Sequence, residues 1–224
     1  MKKESINRKN FLKKIGFGFL TIPLAKCFGR PPHECKFKGG DTAAQNQDDH
    51  CGLTDWATEG PFFVENTAES VNINFTNLPG SPIKIQGTVY GGKDGKTPLK
   101  DVKVEVWHSD DKGNYHPNGN GDIDDYEAKE IALRGHVFTN EKGEFAFHSI
   151  KPGLYYGRRR HIHYQITAPN HEPLTTQTYW LAEKGDARDK ADRTDKDTED
   201  CRFIDFKSDG NGGEIGIFDV YLSA

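Results

Sequence analysis

Three stretches of this chain alternate apolar and polar residues with a period of two. Ile83, Ile85, Gly87 and Val89 alternate with Lys84, Gln86 and Thr88; Val102, Val104 and Val106 alternate with Lys103 and Glu105. Phe145 and Phe147 alternate with Glu144, Ala146 and His148, and residues 215–222 form a further strand candidate. Successive strand residues point to opposite faces, so each run offers one apolar face that only a second layer can cover. Turn residues punctuate the runs. Lys93-Asp94-Gly95-Lys96, Asp111-Lys112-Gly113-Asn114 and Glu141-Lys142-Gly143-Glu144 each place a glycine where a positive φ can close a hairpin. The pattern predicts an all-β fold, a β-sandwich of mostly antiparallel strands with long loops. One weak helix candidate, residues 123–133, reads as a short excursion. Residues 183–200, dense in Asp, Lys and Arg, read as a solvated loop. No internal repeat is visible.

Size and charge set the remaining bounds. The 224 residues suffice for one domain with a real core and are too few for two comfortable ones. Only 34% are hydrophobic, while Gly (24) and Pro (11) are frequent, which suits a turn-rich β domain better than a helical bundle. The net charge of -4, with Lys and Arg scattered rather than striped, argues against a nucleic-acid partner.

The N-terminal region has a different character. Lys2, Lys3, Arg8, Lys9, Lys13 and Lys14 precede an apolar run over residues 15–24, too short to span a bilayer. Residues 1–27 therefore read as an export signal, which predicts a periplasmic, cell-surface or secreted protein. Arg8-Lys9-Asn10-Phe11-Leu12-Lys13 is similar to a twin-arginine signal with lysine in the second place. Leu24-Ala25-Lys26-Cys27 is similar to a lipoprotein cleavage box, and lipid on Cys27 would anchor the chain to a membrane. Residues 28–52, polar and rich in Pro and Gly, read as a flexible linker, and 53–224 as the folded domain. Export makes disulfides persistent. Four cysteines, Cys27, Cys35, Cys51 and Cys201, allow three pairings, and one between Cys51 and Cys201 would tie the ends of the domain. Without a CxxC pair, a thiolate zinc site is not expected.

The sharpest local feature is Arg158-Arg159-Arg160-His161-Ile162-His163-Tyr164. On a strand, His161 and His163 project to the same side. Two imidazoles on one face are either half of a zinc, copper or iron site or a hydrogen-bonded structural pair. Tyr155 follows the Pro152-Gly153 turn a few residues upstream, and Tyr115 follows the turn at Gly113-Asn114. Alone, each tyrosine reads as core or turn packing.

In combination they point further. Thr58-Glu59-Gly60-Pro61-Phe62-Phe63, Val106-Trp107, Gly113-Asn114-Tyr115, Leu133-Arg134-Gly135, Pro152-Gly153-Leu154-Tyr155, Arg158, His161-Ile162-His163 and Leu174-Thr175-Thr176-Gln177-Thr178-Tyr179 occur in one order over about residues 53–222. This series closely resembles the intradiol ring-cleavage dioxygenases, the family of protocatechuate 3,4-dioxygenase and catechol 1,2-dioxygenase. The resemblance implies ferric iron, Fe(III), held by Tyr115, Tyr155, His161 and His163. It implies a small aromatic diol and O2 as substrates. The diol takes the place of the tyrosinate matching Tyr155, whose released phenolate accepts a substrate proton. The ring then opens between the two hydroxylated carbons to a muconate-type diacid. Arg158 matches an arginine that stabilises negative charge on the ring during oxygen attack. Gln177 matches a position behind the ligands. Arg159 and Arg160 are expected to be solvated or paired at the surface, and His108, His116, His136 and His148 to be structural.

Only five residues separate Tyr155 from His161, and no long helical N-terminal segment precedes the domain, which looks like a short, exported branch of the family. The ring substituents accepted and the oligomeric state stay open. Two rival readings remain: a non-catalytic exported β-sandwich binding module, and a copper or zinc site on the His pair.

Overall fold

Alternation becomes strands wherever both faces find partners. The structure, a computed structural model, describes residues 52–91, 95–196, 198 and 200–223. The predicted signal and nearly all of the predicted linker, with Cys27, Cys35 and Cys51, lie outside them. Among the described residues run thirteen strands: β1 (Val64–Glu65), β2 (Pro82–Gly91), β3 (Thr97–Pro98), β4 (Lys103–Trp107), β5 (Gly121–Asp122), β6 (Arg134–Phe138), β7 (Glu144–Ile150), β8 (His161–Thr167), β9 (Leu174–Trp180), β10 (Phe203–Ile204), β11 (Lys207–Ser208), β12 (Glu214–Ile217) and β13 (Val220–Tyr221).

Two sheets face each other. The first has the order β10-β9-β8-β4-β6; the second has β11-β12-β2-β13, with β3 and β7 also paired to β2. The long ladders of both sheets, β2 with β7, β4 with β6 and β8, and β8 with β9, are antiparallel as predicted. The short strand β10 pairs parallel to β9, and β12 and β13 pair parallel to β2. Ile83, Ile85, Val89 and Phe147 of the second sheet meet Val104, Val106, Ile162, Tyr164 and Ile166 of the first in one buried cluster. Tyr164 crosses between the layers, its ring 6.2 Å from Phe147 and 5.0 Å from Phe218. Each such apolar side chain contributes roughly 1.5–3 kcal/mol by leaving water.

Burying Ile162, Tyr164 and Ile166 has a consequence for their neighbours. Because side chains alternate, His161 and His163 must emerge on the opposite, outer face of the first sheet. Strand register puts Trp107 beside His163 on one side and Gln177 on the other, with Tyr179 beside His161. The core thus fixes a row of polar and aromatic side chains on a face that loops must cover.

Several expectations need correcting. The run 215–222 is two strands rather than one. Its interruption falls at Gly87, where a Cβ would sit 1.8 Å from the Phe218 carbonyl oxygen, and Asp219 instead accepts from the Thr88 N–H at 2.8 Å. Residues 123–133 form two 3-10 turns, Ile123–Asp125 and Ala128–Glu130, each capped by its own acidic residues. Gly95, Gly113 and Gly143 all adopt positive φ, but only Gly95 lies between strands that pair with each other. Gly143 carries the chain from one sheet to the other, and Gly113 closes a loop. Nor is 183–200 a bland solvated loop. It contains the helical turn Ala187–Ala191, and its Asp192 is buried. Next to it, Cys201 is disulfide-bonded; the other three cysteines lie outside the described residues.

Candidate active site on the outer face of the first sheet

His161 and His163 are both buried, their ring centroids 4.8 Å apart. Nδ1 of His161 lies 2.7 Å from the Arg159 carbonyl oxygen, which can only accept, so that nitrogen carries the proton and Nε2 presents a lone pair. The His163 ring stacks on Trp107, centroids 5.0 Å apart and planes within 8°. Its other side is approached by Gly60, whose φ of +72° and missing side chain let the 58–63 loop pass; a Cβ there would lie 3.4 Å from the imidazole. His163 Nδ1 is buried without a well-formed hydrogen bond, and the Thr58 backbone beside it is the group that favours its proton.

Nε2 of His161 and Nε2 of His163 converge on a single atom, the hydroxyl oxygen of Tyr115, at 3.2 and 3.1 Å. Two close backbone approaches bring the tyrosines together. A Cβ at Gly113 would lie 2.4 Å from the Leu154 carbonyl oxygen, and one at Gly153 would lie 2.5 Å from both the Asp111 carbonyl oxygen and the Gly113 nitrogen. With no side chain at either position, the Gly153 N–H donates to the Asp110 carbonyl at 2.6 Å and the two turns interlock. Tyr115 and Tyr155, each two residues beyond its glycine, then meet edge to face, centroids 5.4 Å apart. Phe62 stacks on Tyr115 at 4.1 Å and meets Tyr155 edge-on. Arg134, almost wholly buried, donates to the carbonyls of His116, Phe62 and Pro117 at 2.7, 2.7 and 3.1 Å, tying the segments on either side of Tyr115.

Burial governs the charges here. It pushes the His161 pKa down to about 3, with the Arg158 charge assisting, and takes His163 well below the ordinary range, with His161 and Arg158 assisting. Both imidazoles are therefore neutral donors at pH 7. Burial also pushes the Tyr115 phenol above its ordinary value, against the opposing charges of Arg158 and Arg134. Among the described residues, no group of three or more His, Cys, Asp or Glu side chains could hold a metal. The two imidazoles share one phenol, that of Tyr115, as their partner.

Arg158 is half-buried beside this group. Its Nε donates to both Asp192 oxygens at 3.1 and 2.9 Å, and its Nη2 to the Gln177 side-chain oxygen at 2.7 Å. Gln177 in turn donates to the Thr58 carbonyl at 2.6 Å. Burial works to raise the Asp192 pKa, but the Thr194 and Arg159 N–H groups and Arg158 bring it below the usual carboxylate range. Arg159, expected at the surface, is buried instead: it pairs with Asp189 at 2.9 Å and lies over the Tyr179 ring at 4.7 Å. Arg160 is partly exposed and pairs with Glu183 at 2.7 Å, as expected. His108 is structural, its two nitrogens 2.7 Å from the Ser109 carbonyl and the Ser149 hydroxyl, and His116 pairs with Asp110 at 2.9 Å. Sequence reasoning missed Asp192, Phe62 and Trp107 as parts of the site. The signal for Asp192 was the arginine run itself, since three successive guanidiniums beside a buried strand need carboxylates from elsewhere.

The family model described as Dioxygenase matches residues 58–193, more than half of the 224. Over 158 residues the chain is 31% identical to a hydroxyquinol 1,2-dioxygenase of Nocardioides simplex, a match covering 62% of this chain and 51% of that protein. The chain spans about half the length of the curated relatives it matches. The solved dioxygenase domain of a dioxygenase carbohydrate-binding fusion from Streptomyces sp. SirexAA-E is 31% identical. It superimposes with a TM-score of 0.61 over 77% of this chain and 98% of that one. An intradiol ring-cleavage dioxygenase from Tetranychus urticae shares the fold at 22% identity, with a TM-score of 0.62 over 77% of this chain and 95% of that one.

Proposed function

The chain belongs to the intradiol ring-cleavage dioxygenases, and from that premise we propose that it opens a catechol-type ring with O2 between the two hydroxylated carbons, using ferric iron. In this reading Tyr115, Tyr155, His161 and His163 hold the metal. The observation that carries it is the convergence of two neutral imidazole nitrogens on one buried phenol oxygen, with a second phenol ring packed against the first. The donors fit a hard trivalent ion. A phenol as deeply buried as Tyr115 keeps its proton unless a cation takes the proton's place, and phenolate oxygens favour ferric over ferrous iron. The Arg159 carbonyl locks the His161 tautomer with Nε2 free, the usual support of a metal-binding imidazole.

Ferric iron supplies a Lewis-acid centre that makes a catechol dianion reactive towards O2. The protein's own groups do the rest. Tyr115 is buried while Tyr155 is only half-buried, so Tyr155 is the ligand nearer to an incoming substrate, and its Oη, a phenolate when the metal is held, would accept a substrate hydroxyl proton. Trp107 and Phe62 exclude water from His163 and Tyr115. Arg158 offers its guanidinium to negative charge developing on the ring and the attacking oxygen. Both atoms of O2 enter the diacid, so no external reductant is consumed. The reading includes export, motivated by the basic and apolar residues before Cys27; labelling with a radioactive fatty acid that survives Cys27→Ala would remove the lipid anchor from it.

Elemental analysis and a visible spectrum of the purified protein test the metal, and O2 uptake with catechol tests the reaction. About one iron per chain, a red-brown tyrosinate-to-ferric band and a muconate-type product are expected. A colourless protein holding zinc, copper or no metal, with no O2 uptake, would refute the assignment and favour a copper or zinc site or a binding module.

A further inference from the structure

Two side chains from different elements hold Arg158, and together they leave one of its nitrogens unused. Asp192 takes Nε with both carboxylate oxygens, Gln177 takes Nη2, and no hydrogen bond among the described residues engages Nη1. A guanidinium is planar and rigid, so fixing two nitrogens fixes the direction of the third.

Asp192 is built for this task. Its side chain is 0% exposed. The Arg159 N–H donates to Oδ2 and the Thr194 N–H to Oδ1, each at 3.0 Å, so the carboxylate cannot turn without breaking backbone bonds. The segment that carries it is anchored in turn. Asp195 accepts from two Arg202 nitrogens at 2.8 and 3.1 Å and from the Tyr179 hydroxyl. That same hydroxyl lies 3.0 Å from the Gln177 oxygen that receives Arg158. Both supports of Arg158 thus close on one buried network of Tyr179, Asp195 and Arg202.

We propose that Asp192 is the positioning residue that aims Arg158 at the cluster of Tyr115, His161 and His163. The proposal rests on Arg158 acting as the charge-stabilising group, as argued above, and assigns a role to a segment that lies outside the metal site. It differs in sign from a role in charge balance. If Asp192 only offset the Arg158 charge, removing its negative charge would leave a stronger positive field at the site, and turnover would hold or rise. A positioning role requires turnover to fall.

The test compares Asp192→Asn, Arg158→Ala, the double variant and a control, Glu183→Gln, which breaks the Arg160 ion pair on the same segment. The iron-loaded full chain is titrated with catechol without oxygen, the visible band reporting binding, and the complex is then mixed with O2. For Asp192→Asn we expect iron content, the band and catechol binding to stay within about threefold of wild type, while the reaction with O2 slows roughly 10²-fold, the usual consequence of misplacing a catalytic group. On the Arg158→Ala background the same change should cost less than about twofold, because there is no guanidinium left to aim. Glu183→Gln should stay within about twofold of wild type. Should Asp192→Asn lose iron or fail to fold, Asp192→Glu replaces it; moving the carboxylate by one methylene should still slow the O2 step at least about tenfold. A wild-type rate in the usable Asp192 variant, or an equal loss with and without Arg158, overturns the proposal. A wild-type rate in Arg158→Ala overturns the role of Arg158 first and the proposal with it, so the two failures are distinguishable.

Discussion

Two regions cover the outer face of the first sheet, and they hold their side chains by different means. The turns that carry Tyr115 and Tyr155 interlock through backbone: two glycines let carbonyls and amides approach where any Cβ would collide, and the tyrosines follow from the chain path. The segment around Asp192 is held by charge. Asp192 and Asp195 are placed by ion pairs with Arg158, Arg159 and Arg202. Backbone sterics are local and leave a trace in the sequence as Gly beside Pro or Asn. Charge pairing is settled only when the chain has folded, and its trace is a run that looks like any other solvated stretch. The first region should therefore tolerate little change in side-chain volume, and the second little change in charge.

The largest effect is expected at the proposed metal ligands. His163→Ala removes one of the two imidazole nitrogens directed at Tyr115, and His161→Ala the other. Either change should abolish iron retention and the visible band, read by elemental analysis and absorbance. A variant that kept full iron and colour would remove that histidine from the ligand set.

Next comes Arg158. Arg158→Ala should leave iron and catechol binding intact and lower turnover by roughly two to three orders of magnitude, about 3–4 kcal/mol of transition-state stabilisation. Arg158→Lys should recover little, because an ammonium cannot reach Asp192 and Gln177 together in the planar fork. Arg160→Ala is the comparison, since Arg160 faces Glu183 and the Pro152 carbonyl rather than the ligand cluster. Steady-state rates decide. Equal damage at Arg158 and Arg160 would mean the arginine run serves folding.

How much of this was legible beforehand follows from the same contrast. The alternation of Ile162, Tyr164 and Ile166 with His161 and His163 forced the imidazoles onto one face, and the order of motifs from Thr58 to Tyr179 carried the family. The two-sheet architecture followed from the runs at Ile83, Val102 and Phe145. The fate of Arg159 did not. Its burial depends on Asp189 and on Tyr179, about 30 and 20 residues away, and no local pattern distinguishes it from its neighbour Arg160. The break in the C-terminal strand was equally invisible, because it depends on Gly87 facing Phe218 across a parallel pair.

A third expectation concerns pH and the first region. His108 follows β4 directly and is buried between the Ser109 carbonyl and the Ser149 hydroxyl; burial takes its pKa down to about 4, against an opposing bond to the Ser109 carbonyl. In the unfolded chain it titrates near 6.5, so the unfolded state takes up the proton first as pH falls. Its contribution is fully present above that value and is lost as pH drops through 6.5 towards 4. Between about pH 7.5 and 4.5 the loss amounts to roughly 2–3 kcal/mol. Urea unfolding of wild type and His108→Gln across that range measures it. The variant should lose less stability on acidification by about that amount, and parallel curves would show that His108 does not carry the effect.

The smallest effect, and the one that bears most directly on the comparison, is at Gly153. Gly153→Ala adds one methyl 2.5 Å from the Asp111 carbonyl oxygen and the Gly113 nitrogen, both backbone atoms that cannot step aside as a side chain would. Relief requires the two turns to separate, which lengthens the 2.6 Å bond from the Gly153 N–H to the Asp110 carbonyl and parts Tyr155 from Tyr115. Overpacking of this kind costs about 1–3 kcal/mol. Thermal unfolding should register it as a Tm lowered by roughly 2–12 °C for a domain of this size. The visible band should weaken or shift as well, because the displaced tyrosine belongs to the proposed ligand set. Gly157→Ala, two residues past Tyr155 where a Cβ would meet nothing within 4 Å, is the matched control and should leave both readings in place. If Gly153→Ala changed neither Tm nor colour, interlocking backbone would not be what brings the tyrosines together. The position of Tyr155 would then be owed to its ring contacts with Phe62 and Tyr115, and the first region, like the second, would be held by its side chains.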